Sequence, residues 1–311
     1  MTTPHLPYLD ADTIARAVSW AEATDALEQA LCGGLDPATA ADRSIIDVSN
    51  GQLLLMPAET STGVGVKLGT VAPANPERGL PRIQALYVLL DPATLSPVAL
   101  MDGTALTTLR TPAVSAVAVR HLAAPNSRRL VVLGSGPQAW GHVQTLRTVR
   151  PVDAVTVVGR DQRRAEDLVD RVRASGLDAT VGDMTAVAEA DIVVCATTAP
   201  EPLFDSTLLK PGTCVVAVGS HDADRRELDS ALLRRAAAEG GVVVETPEVA
   251  MREAGDVIMA VEEGALDPAQ LIGIGAVVRR EPVPGTSVFK SVGMGWQDLV
   301  VAGAVYERWR G

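Results

Sequence analysis

The period of the apolar positions changes along the chain. Residues 11–32 place Ile, Ala, Val, Trp and Leu at helical spacing, which predicts one long amphipathic helix ended by Gly33 and Gly34. RSIIDV and QLLLMPA then flank Ser49-Asn50-Gly51, a strong hairpin signal, because Asn and Gly accept the positive φ of a tight turn. VGVKLGTV from Val64, IQALYVLL from Ile83 and PVALMDG from Pro97 continue as strands, so this part reads as helix plus antiparallel meander. From Thr104 to Ala124 an alanine-rich helix carries the chain onward, with Pro112 inside it as a first-turn residue or a kink.

From Leu130 the pattern becomes short, wholly apolar runs alternating with amphipathic ones. LVVLGSGPQAWG opens the series; strand-like runs follow at 154–158, around Ala179–Val181, at 191–197, at 213–220 and in GVVVE. Between them lie DQRRAEDLVDRVRASG, DMTAVAEA and ELDSALLRRAAAEG, which read as helices. Strands alternating with helices imply a parallel sheet covered on both faces. The predicted class is α/β: a Rossmann-type doubly wound sheet over 117–290, beside an α+β domain with an antiparallel sheet, from 1–116 and 291–311. FKSVGMGWQDLVVAGAVYERWRG reads as a strand edge and a terminal helix returning to that first domain.

The junction after LVVL carries chemistry. Gly134, Gly136 and Ala139 stand at G-x-G-x-x-A spacing, with Pro137 and Gln138 between. The first glycine permits a tight turn, the second lets backbone approach a pyrophosphate, and the small third residue lets helix and strand pack closely. The helix start offers free N–H groups to phosphates. At the tip of the second strand Gly159 and Arg160 stand where NAD enzymes usually have Asp or Glu, and Arg163 and Arg164 follow Asp161. Arg160 and Arg164 suit a ribose 2′-phosphate, so NADPH is expected, with NADH as the alternative; Arg163 and Arg164 read equally as a solvated helix face capped by Asp161. Thr197 completes the candidate cofactor contacts.

Composition narrows the partners. A net charge of −11 over 311 residues argues against nucleic acid, which needs a basic face. No run approaches a membrane span and the opening residues lack a signal-peptide pattern, so a cytoplasmic protein is expected. Cys32, Cys195 and Cys214 read as small buried hydrophobes, His5, His121, His142 and His221 show no metal-ligand spacing, and no metal is expected. The acidic stretch AGDVIMAVEEGALD reads as a solvated helix face. Lys67 stands out, because a lysine inside the apolar run VGVKLGTV is expensive to bury without purpose.

LLLMPAE, GVKLGTV, APANPERGLP, LMDGTALTTLRTPAVSAVAVRHLA, VVLGSGPQA and TSVFKSVGMGWQD, in this order, resemble the ornithine cyclodeaminase and mu-crystallin family over nearly the whole chain. The most specific parts are N-x-x-x-G-L-P at Asn75–Pro81 and D-G-x-x-L-T-x-x-R-T at Asp102–Thr111. The resemblance implies a homodimer paired through the N-terminal sheet and an active site in the cleft between domains. It also puts Arg43, Lys67 and Arg110 on the family's substrate-binding positions. Arginine forks suit a carboxylate, the constant handle of a small α-amino or α-imino acid, and lysine serves as a point charge or proton donor. Taken singly, Arg43 and Arg110 read as surface charges.

One position departs from the cyclodeaminases. Counting back from Glu227-Leu228 puts His221 where those enzymes carry an aspartate that acts on the substrate's distal amine, with Asp222 one residue late. Ketimine reductases of the family lack that aspartate and show G-A-S-R-P-D-x-R-E-L-D, followed here at Asp224, Arg226, Glu227, Leu228 and Asp229. His221 reads equally as a turn cap or a solvent contact. The resemblance thus implies an NAD(P)-dependent oxidoreductase reducing pyrroline-2-carboxylate or piperideine-2-carboxylate. The alternatives are ornithine cyclodeamination, an alanine dehydrogenase-like reaction, or a non-catalytic NADPH-dependent ligand binder.

Overall fold

A computed structural model describes residues 6–60, 63–280 and 284–311; His5 lies outside them. The chain divides into two compact units, one running through Thr111 and resuming at Gly293–Gly311, the other spanning Pro112–Val292.

The first unit begins with β1 (Tyr8–Leu9), α1 (Ala11–Ala17) and α2 (Trp20–Cys32). The single long helix expected over 11–32 is therefore two. Val18 turns extended, and the Ser19 side chain accepts the Glu22 N–H while Glu22 reaches back to the Ser19 N–H, a capping box that starts a new helix. The strands follow as β2 (Ser44–Val48), β3 (Gly51–Thr60), β4 (Gly63–Val71), β5 (Ile83–Leu90) and β6 (Pro97–Asp102). They form a sheet of order β1-β6-β5-β4-β3-β2, antiparallel except that β1 adds to β6 in parallel. The expected hairpin joins β2 and β3, with Val48 opposite Gly51 and Gly51 at φ 146°.

α3 (Gly103–Leu122) follows directly, with Pro112 in its interior. A proline there deletes one helical hydrogen bond, at a cost of roughly 3 kcal/mol. The helix persists because residues 111–119 are all buried, so packing outweighs propensity.

The second unit alternates β7 (Arg129–Leu133), α4 (Pro137–Val149), β8 (Ala154–Val158), α5 (Gln162–Ala174), β9 (Asp178–Val181), β10 (Ile192–Cys195) and β11 (Cys214–Ala217). It continues through α6 (Ser230–Ala238), β12 (Gly241–Val244), α7 (Pro247–Glu253), α8 (Gly255–Glu262), β13 (Leu271–Gly273), α9 (Ile274–Val277) and β14 (Ser287–Lys290). The strands pair in parallel in the order β13-β12-β14-β11-β10-β7-β8-β9. The order reverses at β7, where β8 lies on one side and β10 on the other, the switch point at which ligands bind in open α/β sheets.

Three local expectations are corrected. DMTAVAEA forms only a 3₁₀ turn, Met184–Glu189, opened by an Asp183 cap. The FK strand is no edge: all four residues of β14 are buried between β12 and β11. Cys32 is exposed while Cys195 and Cys214 are buried, because it falls one residue beyond the buried stripe Ala23, Leu27, Leu31.

The terminal helix α10 (Gly295–Arg310) belongs to the first unit, where it packs on β3 and β4 and against α2. Glycines set that approach. On β4 the buried positions 63, 65, 67 and 69 are Gly, Gly, Lys and Gly. A Cβ on Gly63 would press Leu299 at 3.3 Å, and one on Gly295 would lie 2.7 Å from the Pro57 carbonyl. Lys67 is thus the one long side chain on that face of β4, between Met56 and Tyr87 on the neighbouring strands and under the first turn of α10.

Candidate active site

The site in the first unit grows from that packing. Lys67 is 5% exposed and faces Asp298 in the first turn of α10, which is fully buried, with Nζ 2.8 Å from Oδ2. Nζ also donates to Thr107 Oγ1 at 3.3 Å. Arg110, on α3 and 6% exposed, places Nε 3.3 Å from Asp298 Oδ1 and donates from Nη1 to Gln297 Oε1 at 2.8 Å. Arg43, in the stretch before β2 and half-buried, donates from Nη2 to the Gly293 carbonyl. The three cations expected to act together therefore lie in one unit, Lys67 and Arg110 on one carboxylate and Arg43 near enough to act on the Lys67 charge.

Their charges do not cancel. Burial pushes the Lys67 ammonium down to about 8; Asp298 opposes that fall, and the neighbouring Arg110 and Arg43 charges add to it. Lys67 thus holds and releases a proton near neutrality, beside a net positive charge that attracts an anion. Asp298 and Gln297 were not singled out in the sequence, although both stand in the WQD of a quoted segment. A carboxylate on the buried stripe of an apolar helix is the signal that would have found Asp298.

In the second unit the glycine turn has the expected form. Gly134 takes φ 123°, and a Cβ on it would run into the Ala196 carbonyl at the end of β10. Gly136 caps α4 without any side-chain cap and has open space where a Cβ would be, so backbone N–H groups face outward there. Pro137 takes the first helical turn, Ala139 is fully buried, and Gln138 Oε1 is buried without a hydrogen-bond partner. An open cradle and free helix-start donors fit a dinucleotide pyrophosphate. Arg160 and Arg164 are exposed; Asp161 caps α5 by accepting the Arg164 N–H at 3.1 Å. One turn into α4, His142 bonds Gln138 O at 2.7 Å and Ser115 Oγ at 2.9 Å, and burial pushes it down to about 4.

Thr197 is held by a residue that served only as a counting mark in the sequence. Glu227 Oε1 accepts the Thr197 N–H at 2.9 Å and its hydroxyl at 2.7 Å, and Oε2 accepts the Gly219 N–H at 2.7 Å, tying the ends of β10 and β11. Asp256 Oδ1 accepts the Glu227 and Leu228 N–H groups, and Lys290 Nζ lies 2.8 Å from Asp256 Oδ2 and 2.6 Å from Ser220 O. Asp256 is 1% exposed, so the acidic stretch is not merely a solvated face. Lys290, in the apolar run SVFKSV, carries the signal that singled out Lys67. His221 is half-buried and Asp222 exposed, its carboxylate 3.7 Å from Arg225; both belong to the second unit, apart in the chain from the three cations' own unit.

A switch-point sheet with a glycine turn, and a separate unit in which cations surround a buried carboxylate, define a protein built for a dinucleotide and a small anion. The chain belongs to the ornithine cyclodeaminase/mu-crystallin family, whose model matches residues 13–311. It is 35% identical over 266 residues to a Delta(1)-pyrroline-2-carboxylate reductase of Bacillus cereus, covering 82% of this chain and 81% of that one. Among solved structures, the Delta(1)-pyrroline-2-carboxylate reductase of Thermococcus litoralis in complex with NADH and L-proline superposes with TM-score 0.89 at 30% identity, covering 97% of each chain. An archaeal alanine dehydrogenase dimer with bound NAD matches with TM-score 0.89 at 29% identity, over 97% of this chain and 95% of that one.

Proposed function

We propose that this chain is an NAD(P)H-dependent reductase of small cyclic ketimines, converting pyrroline-2-carboxylate or piperideine-2-carboxylate to the L-amino acid. The observation that carries the reading is the buried Lys67, set between Asp298 and two arginines and poised near neutrality. The arginines hold the substrate carboxylate, which fixes the imine and turns binding energy into orientation. Lys67 delivers a proton to the imine nitrogen, and Asp298 keeps that ammonium charged and aimed. The dinucleotide, when bound, supplies the hydride to the imine carbon. Gly134, Gly136, Pro137, Gln138 and Ala139 hold its pyrophosphate, with Thr197 nearby in the same unit.

NADPH is the preferred form in this reading, because the tip of β8 offers Arg160 and no carboxylate at that position, and Gly159 lies beside Ser135 of the glycine turn. NADH, held by the Thermococcus relative, is the competing outcome. The protein acts as a homodimer: Ile45, Ile46 and Val48 of the edge strand β2 and Ile83 of β5 are 45–54% exposed, apolar surface on both sides of this end of the sheet that suits a second copy. Its thiols without disulfides accord with work in the cytoplasm.

The test is a paired assay on one preparation, following NAD(P)H oxidation with both ketimines and ammonia release from ornithine plus NAD. Ketimine reduction with little ammonia is expected, since an exposed Asp222 engaged by Arg225 is poorly suited to replace the cyclodeaminase carboxylate. Robust ammonia release without ketimine reduction would overturn the reading. Reductive amination of a 2-oxo acid alone would assign the alanine dehydrogenase reaction, which uses the same anchors, and no turnover despite tight cofactor binding would assign a binder.

A further inference from the structure

Gly293 touches both arginines. Its carbonyl accepts a hydrogen bond from Arg43 Nη2, and its Cα packs against the Arg110 guanidinium: a Cβ built on it would lie 2.5 Å from Nη1, 2.8 Å from Nη2 and 3.1 Å from Cζ. Its φ of 76° turns the carbonyl toward Arg43 while the bare α-carbon faces Arg110. The following residues fix Arg110 from the other side, where Gln297 takes Nη1 and Asp298 takes Nε. Two long, flexible cations from distant segments thus meet at one backbone residue.

We infer that Gly293 is a positioning residue that sets the spacing of Arg43 and Arg110 so that both guanidinia address one carboxylate. The inference rests on reading those arginines as the carboxylate anchors. Like charges repel, and a carbonyl dipole at one with bare Cα at the other lets both approach Gly293 while Asp298 balances Arg110 from its other side. A side chain at 293 would push the Arg110 fork off the carboxylate while leaving the dinucleotide turn in the second unit untouched.

The experiment compares Gly293→Ala with Gly264→Ala, whose φ of 68° is similar but whose added Cβ would meet nothing within 4 Å. Gly264→Ala reports the cost of a side chain at positive φ alone, and Gly293→Ala adds to it the displacement of Arg110. Only Gly293→Ala should raise KM for pyrroline-2-carboxylate, by about 10- to 100-fold, the loss of one charged hydrogen bond, with the dissociation constant of NADPH unchanged. In an Arg110→Lys background the effect of Gly293→Ala should vanish, because the shorter tip no longer meets the new methyl group. Effects that multiply in the double variant, or an unchanged KM in a folded Gly293→Ala protein, would overturn the inference. If Arg110→Lys alone leaves KM unchanged, the anchor reading itself fails, whatever Gly293 does. Should Gly293→Ala not fold, the Gly293→Ala/Arg110→Lys double variant decides: recovery of the folded far-UV circular dichroism spectrum locates the clash at the Arg110 fork, and no recovery would overturn the inference.

Discussion

Asp298→Asn is the substitution that tests the proton-donor reading most directly. It keeps the shape of the side chain and removes the charge 2.8 Å from Lys67 Nζ. Everything else acting on Lys67 favours the neutral amine: burial first, then the charges of Arg110 and Arg43. Two unit charges at about 4 Å interact by roughly 4 kcal/mol at an effective dielectric constant near 20. At about 1.4 kcal/mol per pKa unit this is an upper bound near three units. Relaxation and water entry reduce it, so Lys67 should fall from about 8 by about one to three units.

Reduction needs the charged ammonium, so activity is present below the Lys67 pKa and lost as pH rises through it. The parent enzyme should therefore show a one-proton alkaline limb in kcat/KM near 8, which reports the free enzyme. In Asp298→Asn that limb should move to lower pH, costing about 2- to 100-fold at neutral pH across that range and much less under mildly acidic conditions. The ketimine's own ionisation enters both profiles and cancels in their difference. A limb that stays near 8 while activity drops equally at all pH values would refute the reasoning and leave Asp298 as an orienting partner of Arg110 alone.

Two further outcomes follow from the second unit. Arg160→Ala should lower kcat/KM for NADPH by about 10-fold or more with little change for NADH, the loss of one charged contact; a higher efficiency with NADH in the parent, unaffected by the substitution, would remove the 2′-phosphate role. His142 has a folded value near 4 against an ordinary 6.5, so the unfolded chain binds the extra proton between them and stability falls as pH drops through that window. The loss amounts to about 3 kcal/mol at most, and urea unfolding of His142→Asn should show a flatter pH dependence there than the parent, whereas parallel curves would contradict it.

Local patterns were legible wherever neighbours in sequence decide the structure. The Asn-Gly hairpin, the strands from β3 to β6, and the glycine turn after β7 all obey rules read over a few residues. The break at Ser19 was also local, yet hidden: the apolar spacing runs through it, and only the Ser19–Glu22 capping box shows that the helix restarts. The interior place of β14 was not legible, because its neighbours β11 and β12 precede it by dozens of residues and its sequence, SVFK, has the charged end of an exposed strand. The lysine that misled is buried because Asp256, on the distant helix α8, neutralises it.

The same reasoning explains why only half of the candidate site could be read. Lys67 is conspicuous as a cation in an apolar run, Arg110 is marked only by the family pattern around it, and Asp298 lies 231 and 188 residues from them. No spacing rule links such positions. What brings them together is the glycine face of β4 and Gly295, which lets α10 settle close enough for its first turn to reach the sheet. Each of those glycines alone is an unremarkable small residue in a strand or a helix. Their effect exists only when helix and sheet meet, and at that contact the buried carboxylate becomes possible because two cations are already waiting for it. A reader of sequence who finds a lone lysine on a strand otherwise lined with glycine should therefore look for an acid in the first turn of an apolar helix, however distant. In this chain that search, applied to the terminal helix, leads to Asp298.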